Sequence, residues 1–579
     1  MNKHAVLHIS DTPWAFPRDD ETLTVRLRTD HDVQAVRIQF KDRYEWIDEP
    51  WLSLPMTVSA RTKLFKYWTA DITLFRARFR YFFELTLKGG EVHAYDERGL
   101  RTTGIIEPER RAFQFPYISS GTVYRGKDHL MDAVIYQIFP ERFHNGDPSN
   151  DPEGTLPWGG IPKRYSSFGG DLKGIIEKMD HLQQLGIDLL YLTPIFLSTS
   201  NHKYNIRDYY EIDPQFGTLE DARTLVKEAH ARGIRVYFDA VFNHTGSDFF
   251  AFVDILKNQE NSRYADWYHL DSFPVSLEET NYYTFATNVS TMPKLRTENP
   301  EVQEYFFEVG RYWIREIGID GWRLDVADEV DHFFWQGFRA ACEEADPEAA
   351  LIGEIMHESS SFLRGNELDG IMNYPFKYAM TDFFARRSID AEAFMDYLAQ
   401  NRVLYMDQIN RQMWNLLGSH DTVRFITDAR GERNRLMLAS AFQFLYIGIP
   451  YIYYGDEVGL DGGYDPLCRR CMEWDDAKVD QGLFAHFKKI IALRKSSPAF
   501  SRGSFSVLLC KDQGILFQRT YEKETFWSAF NNSDEPLTLM IPVTVLQEVT
   551  PGHEAGGLEL TEIHLKPMSF RVFKVEGQI

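Results

Sequence analysis

From about residue 130 onward the chain alternates short, mostly apolar runs with segments of helical period, and it does so eight times. The runs fall at 134–139, 189–193, 236–241, 321–326, 350–355, 370–374, 413–417 and 451–454. Runs this short and this apolar are what strands buried on both faces of a parallel sheet require. The stretches between them are amphipathic. In 218–232, for example, Ala222, Leu225, Val226 and Ala229 form one face, and Thr218 followed by Asp221 reads as a capping box at its start. Eight strand–helix units over roughly 370 residues predict an α/β chain folded as a (β/α)8 TIM barrel with insertions.

The flanks follow other periods. Up to about residue 120 apolar and polar residues alternate (Leu23, Val25, Leu27; Val36, Ile38, Phe40; Tyr81, Phe83, Leu85, Leu87), which predicts an antiparallel β-sandwich. Trp14, Phe16, Trp46, Trp51, Tyr67 and Trp68 are scattered through it and read mostly as core. Residues 245–296, after the third strand, are too many for an ordinary βα loop and predict a subdomain or lid. Beyond residue 502, β-like runs at 505–509, 515–518, 525–530 and 570–575 predict a C-terminal antiparallel β-domain. The expected domains are therefore 1–121, the barrel at 122–244 with 297–502, the insertion at 245–296, and 503–579.

Composition narrows the function classes. With 579 residues, 44% hydrophobic and 26% charged, the chain reads as a multidomain globular protein. Its net charge of −22 disfavours nucleic acid and anionic membranes as partners. No apolar run approaches the ~20 residues of a membrane span, and the N-terminus lacks a signal-peptide core, so a cytoplasmic setting is expected. Cys468 and Cys471 form a C-x-x-C, but no second ligand pair follows, which argues against zinc. Aromatics at 15% suit flat apolar ligand faces such as sugar rings, or simply a large core.

The charged residues at strand ends carry the chemistry. Asp239 to His244 end the third run, Arg323 and Asp325 the fourth, Glu354 the fifth, and His420 and Asp421 follow the seventh. Active sites of barrels lie at the C-terminal ends of the strands. Any one of these aspartates could be a helix N-cap. Taken jointly, two carboxylates beside an arginine suit glycoside hydrolysis, with one as nucleophile and one as protonated acid. Arg323, two residues from Asp325 and on the same side of the strand, is expected to keep that carboxylate ionised.

Four segments, D-A-V-F-N-H at 239–244, G-W-R-L-D-V-A-D-E at 321–329, G-E-I at 353–355 and G-S-H-D at 418–421, resemble the motifs of the α-amylase superfamily. M-P-K-L at 292–295 resembles the fifth motif of its cyclomaltodextrinase, neopullulanase and maltogenic amylase branch. The resemblance implies a retaining hydrolase of α-1,4 and some α-1,6 glucosidic bonds in cyclodextrins and maltooligosaccharides, with pullulan and starch cleaved more weakly. Transglycosylation on the same fold is the alternative, and a non-catalytic sugar-binding protein a more distant one. It makes Asp325 the nucleophile, Glu354 the acid/base and Asp421 the transition-state stabiliser. It assigns Tyr204, Asp239, His244, Arg323, His420, Asp465 and Arg469 to substrate binding. It further implies a homodimer formed through the N-terminal domain, and no organic cofactor.

Asn145, Asp147, Asn150, Asp151, Gly169 and Asp171 gather oxygens of the kind Ca²⁺ prefers. Spacing alone favours a solvated turn, and it is the resemblance that implies structural calcium. Three positions depart from the branch pattern. Met356 stands where relatives have Trp, Asp328 where they have Asn, and Asn205-Ile206-Arg207 where they have Asp-Thr-Ala, with Arg207 expected to add charge near the cleft.

Overall fold

The computed structural model describes residues 1–45, 49–102, 108–553 and 555–576; Trp46 lies outside them. The described residues form two compact bodies.

The first comprises residues 1–126, 363–366 and 392–410. Its frame is two antiparallel sheets. One contains Ala15–Pro17, Thr22–Thr29, Thr57–Arg61 and Lys66–Thr73, and the other is centred on Val33–Asp42 and Phe79–Leu87. The alternating residues named above, from Leu23 to Leu85, meet in one buried core. Residues 392–410 were expected in the barrel, yet they group with the sandwich. The buried Arg26 donates to the Tyr405 carbonyl and to Asp407 Oδ1, each at 2.6 Å, and Ala399 packs with Ala60 and Tyr67. A guanidinium on a sandwich strand needs acceptors, and this helical segment provides them.

The second body holds the barrel. Its strands are β1 (Ile135–Ile138), β2 (Leu189–Leu192), β3 (Arg235–Ala240), β4 (Gly321–Leu324), β5 (Ala350–Ile355), β6 (Gly370–Asn373), β7 (Trp414–Leu416) and β8 (Ile449–Tyr453). Each pairs in parallel with the next, and β8 pairs with β1 to close the ring. Each predicted run contains or overlaps its strand. Side-chain alternation sorts β4. Trp322 packs outward against Phe242 and Phe338, whereas Gly321 and Arg323 face the interior. Gly321 has to be glycine, because a Cβ there would lie 2.5 Å from the Ala350 carbonyl and 2.6 Å from the Tyr237 ring. The floor beneath the site is aromatic: Tyr191, Tyr237 and Tyr451 surround Trp414 with ring centroids 5.7–6.0 Å from it.

The helix after β2 runs Leu219–Ala231, and its capping box forms in both directions between Thr218 and Asp221. The insertion at 245–296 carries one α-helix, Phe250–Asn258, and returns to the barrel through the bridge between His244 and Lys294. The C-terminal domain is a six-stranded antiparallel sheet. Four of its strands match predicted runs. The two longest, Leu537–Glu548 and Ala555–Leu565, expose much of their length and fall outside the predicted runs, although Leu537, Leu539, Ile541, Val543 and Val545 alternate along the first. Among the described residues no helix is long and apolar enough to cross a membrane.

Candidate active site

The ends of β3, β4 and β5 bring three carboxylates around one cation. Arg323 Nη1 donates to both oxygens of Asp239 (2.8 and 2.9 Å) and to Asp325 Oδ1 (2.8 Å), while Nη2 lies 2.8 Å from Glu354 Oε2. Tyr191 and Tyr204 each donate to Asp239 Oδ2, at 2.6 and 3.0 Å. Tyr204 is also 2.7 Å from His420 Nε2, and that nitrogen lies 3.1 Å from Asp421 Oδ2. Arg469 donates to Asp421 Oδ1 at 3.0 Å and pairs with Asp465 at 3.1 Å.

These residues floor and wall a cleft of about 560 Å³. Of the positions expected to meet substrate, Tyr204, His244, Asp325, Glu354, Asp421, Asp465 and Arg469 line it. Asp239, Arg323 and His420 do not. They are buried beneath the lining, and the oxygens of Asp239 are taken up by Arg323 and the two tyrosines. Asp239 and Arg323 therefore organise the site from below, where direct sugar contact was expected.

Burial sets the electrostatics. It pushes the Asp325 carboxyl well above its ordinary range, against the pull of Arg323, and the nearby Glu354 and Asp239 push it further. Burial raises Glu354 as well, with Asp421 adding to it against Arg323. The expectation that Arg323 keeps Asp325 ionised is thus not supported, because burial and the neighbouring carboxyls oppose the guanidinium. One guanidinium is divided among three buried carboxyls, so its pull on each is offset by burial and by the other two. Asp421 differs. Burial raises it too, but His420 and the adjacent Arg469 outweigh that, and its carboxyl lies below the usual range. Burial pushes His420 and His244 each down to about 3, so both imidazoles are neutral near pH 7.

Backbone strain helps to place the acid. Val326, directly after Asp325, adopts the left-handed conformation at φ 45°, which is costly for a β-branched residue. That turn lets its N–H donate to Glu354 Oε2 at 3.1 Å. All the described polar contacts of Glu354 fall on Oε2.

Some contributors were not read from the sequence. Phe285, from the insertion, stacks on His244 with centroids 4.9 Å apart and lines the cleft. Tyr191 and Gln137 are uncharged residues inside strands, and only their inward parity could have drawn attention to them. Lys294 of the fifth motif ties strand ends together, reaching Asn243 Oδ1 and the Glu329 carbonyl. Of the departures, Met356 and Asp328 line the cleft, and Asp328 Oδ2 lies 2.8 Å from His357 Nε2. Arg207 is exposed and is not among the lining residues, so the charge expected there does not reach the cleft.

The six candidate calcium residues come together in one loop cluster. Asn145 Nδ2 donates to Asp151 Oδ1 at 2.8 Å, and a Cβ at Gly169 would strike both side chains. Asp171 accepts from the backbone N–H groups of Gly146, Asp147 and Gly174 and from Asn150 Nδ2. The Oδ1 atoms of Asn145 and Asn150 are buried without a hydrogen-bond partner. Among the described residues no three His, Cys, Asp or Glu side chains converge as metal ligands, so the open acceptors here are amide oxygens.

Comparison with known proteins agrees with this geometry. The alpha amylase catalytic domain family matches residues 137–503, and the alpha amylase N-terminal ig-like domain matches 1–119. A cyclomaltodextrinase of Thermoanaerobacter pseudethanolicus is 47% identical over 540 residues, covering 92% of this chain and 93% of its own. Neopullulanase 2 of Thermoactinomyces vulgaris is 44% identical, covering 94% and 93%. A solved cyclomaltodextrinase structure superposes with a TM-score of 0.95 at 42% identity, over all of both chains. The chain therefore belongs to the alpha-amylase family, as a glycoside hydrolase of the branch that holds the cyclomaltodextrinases and neopullulanases.

Proposed function

We propose that the protein hydrolyses α-1,4 glucosidic bonds of cyclodextrins and maltooligosaccharides with retention, acting on α-1,6 bonds and on pullulan or starch more weakly. The observation that carries this reading is the sharing of Arg323 by Asp325 and Glu354. One nitrogen of the guanidinium serves each, which keeps the two carboxyls close, as retention requires. In the productive state Glu354 carries a proton on Oε1, the oxygen with no described partner, and passes it to the leaving glycosidic oxygen. Asp325 attacks the anomeric carbon and forms the glycosyl intermediate. Glu354, now ionised, takes a proton from water, which releases the sugar. Asp421, kept charged, opposes the positive charge that develops on the sugar ring.

Asp325→Asn should lower kcat by about three orders of magnitude or more with the fold intact, since the nucleophile is lost. Retention of more than about 1% of activity in the purified variant would remove Asp325 from that role. Because the raised Glu354 must be protonated to act, activity should fall as pH rises through its titration, and Glu354→Gln should lose that limb.

The cyclomaltodextrinase names of the relatives and the partly closed cleft favour small or cyclic glucans over polymers. Initial rates on β-cyclodextrin should exceed those on soluble starch at equal glucose content. The opposite order would overturn the substrate assignment.

Structural calcium fits the loop cluster through its two orphaned amide oxygens. Asn145, Asn150, Asp151 and the Gly169 carbonyl would hold the ion, with Asp147 at the loop edge and Asp171 bracing the backbone around it. Bound calcium would supply local stability and no chemistry. Chelation should lower stability by about 2–3 kcal/mol, the linkage expected near a hundredfold excess over Kd. Unchanged melting, together with substoichiometric metal in the purified protein, would dismiss the site.

A homodimer through the N-terminal domain is the assembly we infer, supported by the family resemblance and by exposed aromatic residues on the sandwich, Phe75 among them at 87%. Sedimentation should show a dimer at micromolar concentration, and a purely monomeric boundary would contradict it. Four free cysteines suit a reducing cytoplasm, a location that cell fractionation tests.

A further inference from the structure

Among the buried polar residues of the barrel that the mechanism above leaves without a task is Gln137. Gln137 lies on β1 and is fully buried, with its amide Nε2 2.7 Å from His420 Nδ1. Its Oε1 is buried without a hydrogen-bond partner. An orphaned buried acceptor costs about 1–3 kcal/mol, so an apolar side chain of the same length would remove that cost. A glutamine held at this cost points to work done by its other end.

We propose that Gln137 is a positioning residue for His420: its amide N–H, donated to Nδ1, holds the imidazole as the Nε2–H tautomer and so sets the direction of the hydrogen bonds that run through Tyr204 to Asp239.

The surroundings of His420 decide between the two tautomers. Nε2 faces Tyr204 Oη at 2.7 Å and Asp421 Oδ2 at 3.1 Å. Tyr204 has one proton, and Asp239 Oδ2 lies 3.0 Å away to receive it. With hydrogen on Nε2, the imidazole donates towards the Tyr204 oxygen and Asp421, Tyr204 donates to Asp239, and every acceptor in the series has a donor. With hydrogen on Nδ1, a bare Nε2 would oppose the Asp421 carboxylate, and the single Tyr204 proton would have two claimants. Only a donor at Nδ1 excludes that arrangement, and among the described contacts the Gln137 amide is the group within reach. Around His420, Arg469 and the Cys468 thiol donate to its carbonyl at 2.8 and 3.1 Å, Arg323 and His202 act on it through space, and among the described contacts none of the four hydrogen-bonds Nδ1.

The consequence reaches Asp421 and Tyr204, both of which line the cleft. Loss of the tautomer would turn the Tyr204 hydroxyl away from Asp239 and weaken the support of Asp421, without removing any group that meets substrate.

This inference rests on the hydrolase reading, so its test includes a readout independent of turnover. In the full-length protein labelled with ¹⁵N-histidine, the His420 signal, identified by its loss in His420→Gln, should show Nδ1 unprotonated and Nε2 protonated. In Gln137→Met the two tautomers should mix, and kcat should fall about 10–100-fold, the range for removing a group that orients an imidazole, while KM changes less than about threefold. In Gln137→Glu a protonated carboxyl can again donate to Nδ1, so activity should return at low pH and fall as the carboxyl ionises. A protonated Nδ1 in the unmodified enzyme, or a folded Gln137→Met with unchanged kcat and unchanged ¹⁵N signal, would overturn the proposal. Failure of the hydrolase reading would leave the tautomer measurement standing and would show instead in Asp325→Asn.

Discussion

Removing a carboxylate from water costs several kcal/mol unless a cation or hydrogen bonds replace the lost solvation. In this barrel Asp239, Asp325 and Glu354 meet that cost largely through one guanidinium, that of Arg323. Much of the local architecture serves this sharing. β3, β4 and β5 stand in parallel register so that Asp239 pairs with Arg323 across neighbouring strands. Tyr191 and Tyr204 add hydroxyl donors to Asp239, and Val326 accepts a strained backbone to give Glu354 an N–H. The pull of the guanidinium on each carboxyl is opposed by burial and by the other two, so both of these carboxyls that line the cleft, Asp325 and Glu354, lie above their ordinary range.

Where residues follow a period or end a strand, the sequence announced the structure. The eight apolar runs locate all eight barrel strands, the Thr218–Asp221 capping box forms as read, and Asp325, Glu354 and Asp421 meet in one cleft. What stayed hidden depends on depth and on long-range partners. Asp239 and Arg323 carry the charge types of substrate contacts, and only the fold shows them lying beneath the cleft. Arg207 has a prominent charge in the sequence but sits away from the lining, because neighbours along a strand point to opposite faces. The two long C-terminal strands, Leu537–Glu548 and Ala555–Leu565, fall outside the predicted runs because Pro542 in the first and Gly556 and Gly557 in the second weaken the strand signal despite the alternation from Leu537 to Val545. Gln137 and Tyr191 gave no signal of charge at all.

The insertion and the fifth motif show how distant segments complete the site. Phe285 reaches the cleft only because residues 292–295 return the insertion to the end of β3, where Lys294 joins Asn243 to Glu329. Backbone bridges and one shared lysine hold this part of the wall, and Phe285, Met292 and Met356 are among the apolar residues that line the cleft. Met356 is 41% exposed there, a flexible side chain where a flat ring would stack on a sugar more rigidly.

The sandwich body also raises a question of modularity. It is usual to think of such an N-terminal domain as a unit that evolution can add or remove at a linker. Here it includes residues 392–410, which lie in sequence between β6 and β7, and Arg26 spends its guanidinium on Tyr405 and Asp407. A lineage that discarded the first 126 residues would leave Ala399 without the apolar neighbours it now has, and would also have to rewrite a segment nearly three hundred residues downstream. Loss of this domain would therefore call for compensating change within the barrel's own stretch of chain, despite the separate cores of the two bodies.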